Sequence, residues 1–68
     1  MLRIQAERER QHLSQHRLAV LADVHPTTVS RLEAGKIYPY PGWRRRLGRA
    51  LGVPEDELFE PVAEERTN

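Results

Sequence analysis

The chain has 68 residues, eleven Lys/Arg against ten Asp/Glu, and no cysteine. That length allows one small domain and excludes a large buried core. The missing thiols exclude disulfides and thiolate zinc sites as staples, and no apolar run reaches the roughly 20 residues that span a bilayer.

The net charge of +1 conceals a strong asymmetry. Residues 1–50 carry a net +6 and residues 51–68 a net −5. A basic body with an acidic end is the electrostatic footprint of a polyanion binder, although a segregated solvated surface would look the same. The charged N-terminus lacks the apolar stretch of a signal peptide, so a cytoplasmic protein is the expectation.

Apolar residues recur at helical spacing, and Gly and Pro fall between the periodic blocks. The pattern predicts an all-α, compact five-helix domain with a central helix-turn-helix. The first helix is expected over roughly Leu2 to Arg10, with a thin apolar face of Leu2, Ile4 and Ala6. A loop follows in which Leu13 is the anchor.

Ser14 can cap a second helix, because its hydroxyl can accept from an unpaired backbone N–H. That helix is expected to run to about Ala22, with Leu18, Ala19, Leu21 and Ala22 inward. Asp23 stands where the chain must turn sharply and tolerates the left-handed conformation better than most residues. Val24 would plug the corner. His25-Pro26 opens a third helix, proline being suited to a first helical position. Val29 and Leu32 face inward, and Gly35 supplies a left-handed cap.

An extended connector, Lys36 to Pro41, leads to a fourth helix from Pro41 or Gly42 to Leu51. Its apolar positions are Trp43, Leu47, Ala50 and Leu51. A short fifth helix is expected from Pro54 to about Glu60, with Glu55, Asp56 and Glu57 favourably placed in its first turn. Leu58 and Phe59 are its apolar anchors. The domain is therefore read as residues 1–60, and 61–68 as a flexible acidic tail.

A tight turn between two short helices, the second opening on small polar residues, is how a chain holds a helix against DNA base edges. Arg31 lies four residues after Thr27, so both can point into the groove. An arginine there can grip a guanine edge; the plainer alternative is a solvated charge. Thr27 and Thr28 can contact base edges or a thymine methyl, or only cap the helix start. His25, when protonated, could donate to a phosphate. Lys36 and Tyr38 follow the third helix and could hold the far side of the groove. Arg44, Arg45 and Arg46 could neutralise phosphate, but three consecutive residues cannot share one helix face, so one or two are idle.

His12 and His16 are four apart, but His12 precedes the Ser14 cap and no third ligand is evident. They read as surface histidines, with no metal site and no cofactor expected. Neither a nucleophile–base arrangement nor a phosphate-cradling Gly loop is credible in so small a helical chain, so no enzyme is expected.

The ordered set Arg8, Leu13-Ser14-Gln15, Leu18-Ala19, Val24-His25, Glu33-Ala34-Gly35-Lys36, Pro39, Ala50-Leu51-Gly52-Val53 and Glu57-Leu58-Phe59 resembles the Cro/phage-repressor-type helix-turn-helix domains of the XRE family. The match spans residues 3–60 without insertion or deletion. The resemblance implies a lambda-repressor-like fold and sequence-specific binding of double-stranded DNA, as in a bacterial or phage transcriptional regulator, usually as a homodimer. It implies that Arg31 meets bases, that Gln15 touches a phosphate, and that Arg8 and Glu33 form a structural ion pair. Small domains of this family also serve as antitoxins, so a toxin partner docking on the Leu58-Phe59 end is the alternative. The expected self-association surface is the same end, with Val62.

The chain departs from the family pattern at several positions. Asp23 replaces the usual turn Gly, and His25 replaces a Ser or Thr cap. Glu7 and Arg44 stand where apolar residues are common, and Gly48 replaces an Ala within a helix. The last change costs about 1 kcal/mol in helix propensity.

Overall fold

A computed structural model describes residues 1–62. Among these residues there are four α-helices: α1 (Arg3–Arg10), α2 (Gln15–Ala22), α3 (Pro26–Glu33) and α4 (Pro41–Leu51). The expected fifth helix is not formed. Glu55–Glu57 make a single 3-10 turn, so the described residues form four α-helices and not five.

The physical reason lies in where the carbonyls of this segment go. Leu58 O accepts from Ile4 N at 2.8 Å and Glu60 O from Arg3 N at 2.9 Å. These bonds satisfy N–H groups at the start of α1, which has no side-chain cap. Continuing the turn as an α-helix would require Leu58 O to accept from Val62 N, but Val62 N donates to Met1 O at 2.9 Å. Leu2 and Pro61 form an antiparallel β-bridge. Pro61 and Val62 are therefore held against the N-terminus, while the rest of the expected acidic tail lies outside the described residues.

Each helix ends on a residue with positive φ: His12 after α1, Asp23 after α2, Gly35 after α3 and Gly52 after α4. In every case the next N–H reaches back to close the helix end: Leu13 N to Arg8 O, Val24 N to Ala19 O, Lys36 N to Arg31 O, and Val53 N to Gly48 O. Asp23, at φ 57° and ψ 49°, thus occupies the left-handed position where the family pattern has Gly. The α2–α3 turn is set by backbone geometry and needs no linker.

The core gathers one face of every helix. Ile4, Leu18, Ala19, Val29, Leu47 and Leu58 are fully buried, with Leu32 and Leu51 nearly so. α2 packs on both α3 and α4, which fixes the angle at which α3 is presented. Two apolar expectations need correction. Leu21 is half exposed, because the inward face of α2 is Leu18, Ala19 and Ala22. Leu58 is wholly buried, because its backbone is bound to α1, so it is not available as a surface anchor for a second copy or a toxin.

Gly48 is required by packing. A Cβ there would sit 2.8 Å from Val53 O and 3.3 Å from Glu55 Cα. Its absence lets residues 53–55 cross directly over α4.

Candidate nucleic-acid interface

The geometry of α3 starts at its cap. His25 Nδ1 accepts from Thr27 N at 3.1 Å, doing the work of the usual Ser or Thr hydroxyl. In this arrangement Nδ1 is the acceptor, so the neutral ring carries its proton on Nε2. Pro26 occupies the first turn, where its missing N–H is no loss.

α3 buries Val29, Leu32 and Glu33. Thr27, Ser30, Arg31 and Ala34 are exposed, and Thr28 is half-buried at the margin. Positions 27, 30, 31 and 34 follow the helical repeat and form one outward stripe. Ser30 and Ala34 were not singled out from sequence. Counting the repeat onward from Thr27 would have found both. Arg17 is also exposed, on the first turn of α2, where no motif marks it.

The far end of α3 is anchored from behind. Arg8 Nε donates to Glu33 Oε2 at 2.7 Å, and Arg8 Nη2 to Glu33 Oε1 at 3.1 Å. Arg8 Nη1 donates to Leu13 O at 2.7 Å, and Gln15 Nε2 to Glu33 Oε1 at 3.0 Å. One carboxylate thus ties together α1, the loop after it, the start of α2 and the end of α3. The hydrogen bond to Glu33 raises the Arg8 pKa above its ordinary value, against the opposing effect of burial. Glu33 faces the interior and adds no negative charge to the outward stripe. Gln15 has one amide N–H committed to Glu33.

Electrostatics divides the molecule. The side-chain ion pairs among the described residues all involve α1: Arg3 with Glu7 and Glu57, Arg8 with Glu9 and Glu33, and Arg10 with Glu7. Every arginine of α1 is therefore paired, Arg8 through Glu33 of α3. Arg17, Arg31, Lys36 and the α4 arginines make no such pair among the described residues. Among the described residues, the cations without an ion-pair partner lie on the helix-turn-helix, the connector after it and α4.

The other candidates fall around α3. Lys36 is exposed just past its cap, and Tyr38 is 62% exposed. Tyr38 meets Tyr40 edge-on at 4.9 Å between ring centroids, and Tyr40 meets Trp43 at 5.6 Å. This ladder stiffens the connector. Arg44 is half-buried with its Nε out of solvent and without a hydrogen-bond partner, so its stem packs inward and only its tip is offered. Arg46 donates to Asp23 O at 3.2 Å and braces the α2–α3 turn. Among the described residues no cluster of three potential ligands could hold a metal, and no helix is long and apolar enough to cross a membrane.

Two short helices crossing at a closed turn, the second presenting a polar stripe beside unpaired cations, define a helix-turn-helix domain. The model of the family described as "Helix-turn-helix domain" matches residues 2–60, and the chain belongs to that family. The match agrees with the XRE-type resemblance of its motifs. A search of curated proteins found no match.

Proposed function

We propose that this protein binds double-stranded DNA sequence-specifically as a transcriptional regulator, with α3 in the major groove. The observation that carries the reading is the outward stripe of α3, on which Arg31 is exposed and has no ion-pair partner among the described residues. A bare helix face with small side chains around one arginine can lie close to base edges. Arg31, Thr27 and, from the margin, Thr28 contact bases. Gln15, His25, Lys36, Tyr38 and Arg44 contact the backbone on either side, and such contacts fix register without carrying sequence information. Domains of this kind bind as two-fold dimers on half-sites about one helical turn apart, and we assign that arrangement to this chain.

The test is selection of bound DNA from a random pool, followed by affinity measurements over a range of salt. The reading expects a palindromic or repeated motif and a steep loss of affinity with salt. No enriched sequence, together with a log–log salt slope near zero, would sink it.

A further inference from the structure

We propose that the face formed by the second half of α4 and the 3-10 turn docks a second copy of this chain, with Arg45 and Arg49 of each copy facing Glu55 and Asp56 of the other. The inference rests on the two-fold reading above and supplies the surface it needs, since Leu58 is buried.

Arg45 and Arg49 are one turn apart on the exposed side of α4. Together with Glu55 they line a shallow hollow of about 410 Å³ whose floor includes Gly48, Val53 and Pro54. Asp56 is exposed beside Glu55. None of the four charged groups has an ion-pair or hydrogen-bond partner among the described residues, although Arg49 and Glu55 border the same hollow. Elsewhere the chain does pair such neighbours, as Glu7 does with Arg3 and Arg10.

Opposite charges side by side and both unpaired make a patch that can complement itself across a two-fold axis. In such a contact residue i meets residue j while j meets i, so one patch is its own complement. Two of the lining residues, Gly48 and Gly52, carry no side chain, and Gly52 and Pro54 are exposed. No residue of α3 lines the hollow, so docking leaves the outward stripe free.

Exposed ion pairs are individually weak and screened by salt. The contact is therefore weak in free solution and gains strength when two half-sites hold the copies together at high effective concentration.

Sedimentation equilibrium on the full chain, from micromolar to millimolar concentration and at low and high salt, tests this. The expected result is a monomer–dimer equilibrium that weakens with salt. Two reversed chains follow: Arg45→Glu with Arg49→Glu, and Glu55→Lys with Asp56→Lys. Each alone should dimerise at least about tenfold more weakly, because like charges then face each other. Mixed in equal amounts they should dimerise again, since each supplies what the other lacks.

Circular dichroism checks that each chain is folded. If a double change unfolds the chain, Arg49→Glu and Asp56→Lys repeat the design singly. A wild-type chain that stays monomeric at low salt overturns the proposal, as does a reversed chain that self-associates like wild type, or a mixture that fails to rescue. Binding of the Glu55→Lys, Asp56→Lys chain to a single selected half-site separates the two readings. Retained half-site affinity with lost self-association supports the interface. Rescue on mixing without any DNA affinity in the wild type supports the interface and removes the DNA reading.

Discussion

Arg8 and Glu33, 25 residues apart in sequence, are joined by two parallel hydrogen bonds of 2.7 and 3.1 Å beneath the helix that faces outward. The guanidinium's remaining hydrogen bond goes to Leu13 O, and Gln15 completes the carboxylate. The pair is therefore a brace on the buried side of α3.

Breaking this brace from one side leaves an uncompensated buried charge. Arg8→Ala and Glu33→Ala should each cost about 3–5 kcal/mol in chemical denaturation. Replacing both together with apolar residues of similar volume should cost far less than the two single changes combined. Strict additivity of the single costs would show that the two side chains do not act as a pair.

Gly48 makes an opposite prediction from helix propensity. Propensity alone says that Gly48→Ala gains about 1 kcal/mol. The 2.8 Å approach to Val53 O says that the added methyl forces the 53–55 segment away. Overpacking of this kind costs about 1–3 kcal/mol, so the variant should melt at lower temperature. A higher melting temperature would show that the segment yields freely.

His12 and Asp23 hold left-handed backbone at φ 59° and 57°. Glycine enters that region without steric cost. Asp23→Gly and His12→Gly should each stabilise by about 0.5–1 kcal/mol, read from urea midpoints at unchanged m-value. Asp23→Gly also leaves the Arg46 bond to the backbone carbonyl intact, so no compensating loss is expected.

Base readout and backbone contact separate by their signatures. Arg31→Ala should lose about 1–3 kcal/mol at one base pair of the selected site and relax the preference there. Lys36→Ala should weaken all sequences alike and lower the salt slope by about one. Competition binding against single-base variants of the selected site at two salt concentrations distinguishes them.

The acid limb of stability should depend on Glu7. The hydrogen bond from Arg10 lowers its pKa below the ordinary 4.5, against the effect of burial and with help from Arg3. A lowered carboxyl pKa means that the folded state releases this proton more readily than the unfolded chain does. Its stabilisation is full above the ordinary value and fades as pH falls through the folded value. Glu7→Gln should be less stable than wild type at neutral pH, with the difference shrinking below about pH 4. Parallel stability–pH curves would exclude this contribution. The raised pKa of Arg8 acts the other way: its stabilisation is full below the ordinary arginine value and is lost only as pH rises through the higher folded one.

Much of this protein was determined by local sequence. Ser14 and Pro26 mark helix starts, while Asp23 and Gly35 close helix ends, through bonds within a few residues. The spacing of Leu18, Ala19, Val29 and Leu32 sets which faces turn inward. Local chemistry suffices there because each feature is resolved within one helical turn. Elsewhere the answer lay in partners distant in the chain. The start of α1 is capped by the carbonyls of Leu58 and Glu60, and that demand stops a fifth helix from forming. Gly48 reads as a weak helix residue until the 53–55 segment is laid across it. Arg44, Arg45 and Arg46 read as one basic run, yet Arg44 packs its stem inward, Arg46 braces a turn and Arg45 stays exposed and unpaired. Hydrogen bonds and close approaches between segments tens of residues apart leave no periodic trace, so only the tertiary structure could decide them.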